Sequence, residues 1–138
     1  MKMQVLFGIK SKMDDEKLIM KNINAYLKRI ERTTSIAKNA SLLRSFLPYT
    51  IDHYYWNMNK ETGTYFEVFS NSDLNGRKFI KDNGEYAWLI KILFHPDFPG
   101  YEREKSEKYV KEIMNSINYD YEILFETDDD ESIMCGDV

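Results

Sequence analysis

Between Glu85 and Phe94 the sequence reads EYAWLIKILF, and from Tyr86 onward only Lys91 interrupts the apolar side chains. A strand that is apolar on both faces cannot lie at a wet edge. It has to run through the interior of a sheet covered at least partly on both sides. The following His95-Pro96-Asp97-Phe98-Pro99-Gly100 ends the run, because proline has no N–H to give to a ladder. The rest of the chain must therefore supply flanking strands and two covering layers.

Flanking strands are not hard to find. Tyr49–Asn71 reads as an aromatic hairpin, with strands at about 51–59 and 64–70 joined by Lys60-Glu61-Thr62-Gly63. Tyr54, Tyr55 and Trp56 are consecutive, so their rings must project alternately to opposite faces, as must those of Tyr65 and Phe66. One face of that hairpin is core, and the other meets helix, partner or water. Residues 3–9 form a short buried first strand, with Gly8 a weak point or bulge. A short edge strand fits 77–81, between the turn-forming Asn71–Gly76 and Asp82-Asn83-Gly84. In the last stretch, 118–126, Tyr119, Tyr121, Ile123 and Phe125 alternate with Asp120, Glu122 and Glu126, which predicts a strand with one wet, acidic face.

Helical spacing recurs three times. Leu18, Ile19, Ile23, Tyr26, Leu27 and Ile30 predict a helix over about 14–32, with Asp14 and Asp15 at its start. Ile36, Ala40, Leu43 and Leu47 suggest a shorter one over 36–46, closed by Pro48. Val110, Ile113, Met114 and Ile117 mark a third over 101–117. The resulting order, β-α-α-β-β-β-β-α-β, predicts an α+β fold: a mainly antiparallel sheet of about five or six strands with two or three helices on one face. The 138 residues suffice for one core, so residues 1–127 are read as a single domain and 128–138 as an acidic, frayed tail.

Function classes narrow by exclusion. No apolar run approaches the roughly 20 residues that span a bilayer, and the start lacks a secretory cleavage pattern. The single cysteine, Cys135, cannot form an internal disulfide, which points to the cytoplasm. His53 and His95 have neither HxxxH nor HExxH spacing, so the sequence offers no metal framework. Phosphate-cradling glycine loops and nucleophile elbows are missing as well, so no cofactor is expected and the chain is read as non-enzymatic. Pro96-Asp97 with Glu104 lacks the Glu-x-Lys that would complete a nuclease site, and acids at a helix start explain it more simply.

Binding is the stronger reading. A net charge of −4 and a pI near 5.2 argue against nucleic acid, whose phosphates need clustered Lys and Arg, and favour a basic protein partner. Tyr and Trp give large contact area at low entropy cost. The residues expected to carry the contact are Asp52, Tyr54, Trp56, Glu67 and Asp73 on or near the hairpin, with Asp120 and Glu122 on the last strand. A small, acidic, motif-poor α+β chain of this type is similar in its general profile to bacterial immunity proteins. That resemblance implies a cytoplasmic inhibitor that occludes a cognate, basic, nuclease-type toxin. Two other readings stand beside it. One is a nucleic-acid-associated accessory protein of a phage or mobile element, using the basic face of the first helix. The other is a small enzyme with a site near His53 or His95.

Overall fold

In the computed structural model, which describes residues 3–31, 42–45, 53–56, 63–72, 76–81, 84–95, 97, 99 and 101–127, the apolar run lies inside the sheet as its composition demands. The elements in chain order are Met3–Ile9 (β1), Glu16–Glu31 (α1), Leu42–Ser45 (β2), His53–Trp56 (β3), Thr64–Ser70 (β4), Trp88–Phe94 (β5), Arg103–Ser116 (α2) and Tyr121–Thr127 (β6). The sheet order is β2-β3-β4-β5-β1-β6, and every strand pair is antiparallel. Thus β5 has β4 on one side and β1 on the other, with Ile90 opposite both Val68 and Phe7. The fold is α+β, with an antiparallel sheet and two described α-helices.

Both helices cover one face. Ile19, Ile23, Tyr26 and Leu27 of α1 recur at three- and four-residue spacing, and so do Tyr109, Val110, Ile113 and Ile117 at α2. They close over Phe7 and Ile9 of β1, Phe66 and Val68 of β4, and Trp88, Ile90 and Ile92 of β5. The helices are tied together by Asn22, whose Nδ2 donates to the Ile117 carbonyl at 2.8 Å, and by the Tyr26 hydroxyl, which donates to Glu112. Just past α2, Asn118 adopts φ 60°, the left-handed residue that turns the chain out of the helix and into β6.

The other face is covered by chain without regular structure. Residues 77–81, expected as an edge strand, are irregular instead, with a bend at Phe79 and Ile80. The reason is Asn71: its buried amide accepts from Ile80 N (2.9 Å) and donates to Ile80 O (3.0 Å), doing with one side chain what a neighbouring strand would do. This pins Phe79 and Ile80 against Leu6, Phe69, Tyr86 and Leu89, with the rings of Phe69 and Phe79 edge to face at 5.3 Å. Gly8 faces this layer. A Cβ there would stand 2.7 Å from Leu124 Cδ1 and 2.8 Å from Tyr86 Cδ1, so the glycine makes room for side chains rather than for a bulge.

Two further sequence expectations are corrected. Within the span read as a second helix, 36–46, residues 42–45 are strand β2, and the remainder apart from these lies outside the described residues. The exposed edge of β3 supplies a full register, from Leu42 opposite Trp56 to Ser45 opposite His53, and ladder pairing overrides a weak local periodicity. In β6 the register shifts between Leu6 and Phe7 of β1: Phe7 pairs with Ile123 and Leu6 with Phe125, leaving Leu124 as the extra residue. The bulge reverses the alternation. Tyr121 and Ile123 keep to the helix-covered side, whereas Phe125, opposite Leu6, turns to the other side, and Glu126, opposite Val5, does not share a face with Glu122.

Candidate functional site

The hairpin is less available than its sequence suggests. Trp56 is 0% exposed, stacked on Phe66 at 4.6 Å, and its indole N–H donates to Asn24 Oδ1 of α1 at 3.2 Å. Tyr54 is buried on the same side, with its hydroxyl donating to Glu16. Glu67 points to the opposite face, yet it is buried too. Its Oε1 lies 2.9 Å from Lys91 Nζ and its Oε2 accepts from the Tyr65 hydroxyl at 3.3 Å. Lys91, the one polar interruption in the apolar run, is thus the partner of the one carboxylate on β4. Asp52 and Asp73 lie outside the described residues. Of the seven residues singled out by sequence, the described and exposed ones are Asp120 and Glu122.

These two stand where β1 leaves the sheet and β6 enters it. Glu122 Oε1 meets Lys10 Nζ at 3.0 Å, and its Oε2 accepts from the Tyr86 hydroxyl at 2.6 Å. The hydrogen bond from Tyr86, then the bond and charge of Lys10, hold the Glu122 carboxyl below its ordinary value, while Glu122 in turn raises the Lys10 ammonium. The backbone is fixed as well, since Lys10 N donates to Asp120 O at 2.8 Å and Ser11 N to Glu85 O at 3.0 Å. Glu85 and Asp120 lie within electrostatic reach of Lys10, and Asp14 and Asp15 within reach of Tyr119. Desolvation, then the hydrogen bond to Asp15, pushes the Tyr119 phenol up. The result is a cleft of about 520 Å³ in which acids outnumber the single lysine, Lys10, on its wall. Asn115, Asn118 and Tyr119 complete its polar lining, and Tyr121 donates to Asn115 Oδ1 at 3.3 Å.

The cleft does not end at Tyr121. Met114 and Tyr121 belong equally to an adjoining groove of about 330 Å³ between α2 and β6. Phe7 and Phe94 form its floor, Val110 and Ile123 its walls, with Glu107 and Lys111 at the rim. Ile123 is 57% exposed, an unusual cost for an isoleucine on the covered side of a sheet. The floor is held by the edge-to-face contact of Phe7 and Tyr121 at 5.7 Å.

Sequence reasoning missed Lys10, Tyr86, Met114 and Ile123 as members of one site. The alternation of 118–126 did single out Ile123, but as core. Nothing local in the sequence brings Lys10 and Tyr86 to Glu122, because they lie on three separate segments. Of the two histidines, His53 is on β3 and His95 follows β5 half-buried, so they belong to different segments. Among the described residues, no group of three or more His, Cys, Asp or Glu side chains is placed to hold a metal ion, and no helix is long and apolar enough to cross a membrane. No protein-family model matches the chain, and no curated protein matches it.

Proposed function

We propose that this chain is a non-enzymatic binding protein of the cytoplasm that neutralises a basic protein, most concretely a bacterial immunity protein occluding a nuclease-type toxin. The observation that carries the reading is the acidic end of the sheet, where Glu85, Asp120 and Glu122 lie around Lys10 and Asp14 and Asp15 lie near Tyr119 of the same cleft. Such a field attracts a basic surface at long range and raises the rate of encounter. The Glu122 carboxylate is already oriented by Tyr86 and Lys10, so little side-chain freedom remains to be lost when a partner arrives. Asp120 makes no salt bridge among the described residues and stands exposed, ready to accept one. Asp52 and Asp73 extend the same chemistry in the sequence, whereas Tyr54, Trp56 and Glu67 support the reading only as the framework of the sheet.

Affinity capture with the full chain from its source cells tests the proposal. A basic protein should copurify, and the purified pair should associate more slowly as salt is raised. Addition of the chain should abolish that protein's activity. Capture of random-sequence DNA in place of a protein, with affinity that falls steeply with salt, would overturn the reading in favour of a nucleic-acid accessory role.

A further inference from the structure

The two compartments at the α2–β6 edge differ in chemistry but share walls. One is apolar, floored by Phe7 and Phe94 and flanked by exposed Ile123. The other is polar and acidic, with exposed Asp120 at its wall. Met114 and Tyr121 line both. We propose that this composite groove docks a segment of the basic partner in which an apolar side chain stands close to an arginine or lysine. The apolar residue covers Ile123 and packs on Phe7 and Met114, while the cationic group reaches Asp120.

This rests on the functional reading above and specifies its contact. An apolar occupant alone would leave the acids of the cleft unanswered, and a cation alone would leave Ile123 in water. A second copy of the chain is disfavoured by charge, since it too carries −4 and would bring its own acids to the acidic end. Met and Tyr are suited to such a seat. The thioether adapts to irregular shapes, and the phenol ring offers an apolar face beside a polar tip.

Two capped synthetic peptides titrated into the isotope-labelled full chain, one pairing leucine with arginine and one leucine with glutamate, test the proposal by amide chemical-shift mapping. The leucine–arginine peptide should shift Val110, Met114, Asp120, Tyr121 and Ile123, and the leucine–glutamate peptide should leave them in place. Ile123→Glu should weaken binding by roughly tenfold or more, the scale of losing one buried aliphatic side chain. Asp120→Asn should weaken it by roughly threefold, the scale of a solvent-exposed ion pair, and should flatten the salt dependence. Since both side chains are exposed, the variants should keep the parent circular dichroism. Shifts centred elsewhere, or an equal response to both peptides, would overturn the assignment. So would a concentration-dependent dimer in sedimentation that Ile123→Glu abolishes, which would give the groove to a second copy. A captured basic partner that binds Ile123→Glu and Asp120→Asn as tightly as the parent would sink this contact and leave the inhibitor reading standing. Peptide binding at the groove without any captured basic protein would do the reverse.

Discussion

The two faces of the sheet are closed by different means. On one, α1 and α2 lay regular apolar stripes over large rings and branched aliphatics, and fully buried Trp56, Phe66, Trp88 and Tyr109 interlock there. On the other, a short irregular segment pinned by Asn71 covers a smaller cluster, next to the Glu67–Lys91 ion pair. The first face is held by area and packing, which tolerate adjustment in many small steps. The second depends on a few polar contacts, each of which is expensive to leave half made. A face closed by a loop therefore depends on single polar contacts, whereas one closed by helices depends on the volume its side chains fill.

The largest expected effect tests the packed face. Trp88→Ala removes a fully buried ring from β5 and should cost about 3–5 kcal/mol in chemical denaturation. Next comes the ion pair. Lys91→Ala strands the buried Glu67 carboxylate and should cost about 3 kcal/mol, whereas Glu67→Met with Lys91→Leu should be close to neutral. If the double replacement costs as much as the single one, the pair is not the weak point of its face, and the contrast drawn above fails. Asn71→Ala leaves two Ile80 backbone groups without their partner and should cost about 1–3 kcal/mol, with hydrogen exchange increasing first at Phe79 and Ile80. A comparable loss of about 1–3 kcal/mol is expected for Gly8→Ala, whose methyl would collide with Leu124 and Tyr86.

The smallest effect is electrostatic. The Glu122 carboxyl is held below its ordinary value of 4.5, so the folded state binds this proton more weakly than the unfolded one. Its contribution to stability is complete above that value and is lost as the pH falls through the lowered one. Glu122→Gln should flatten this part of the acid limb by slightly lowering thermal stability at neutral pH, with parent and variant converging as the pH falls. An acid limb identical to the parent's would show that Tyr86 and Lys10 do not hold the carboxylate in solution.

Much of the fold was legible because its signals are local. The aromatic hairpin and its turn at 60–63 gave β4 with its observed bounds, the helical spacing of Ile19, Ile23 and Leu27 gave α1, and the two-sided apolar run gave an interior strand. What failed did so where a distant partner overruled a local pattern. Leu42–Ser45 carries part of a helical periodicity but takes the free edge of β3. Residues 77–81 look like a strand, yet their polar groups are claimed by the Asn71 side chain. The site was less legible than the fold. Tyr54, Trp56 and Glu67 have the composition of a contact surface and are spent inside, because a consecutive aromatic run announces that rings alternate but not what covers each face.

By itself, then, the sequence determined the class of the molecule: an α+β sheet built around an interior strand within 85–94, with an acidic last strand. Period and composition are carried by neighbouring residues, so they can be read without knowing the partners. Only the tertiary structure decided that Lys91 in that apolar run answers Glu67, that a bulge at Leu124 parts Glu126 from Glu122, and that Lys10 and Tyr86 orient Glu122 beside the groove. Each of these joins residues far apart in the chain, and the energy of such a contact exists only once the strands that carry it are side by side.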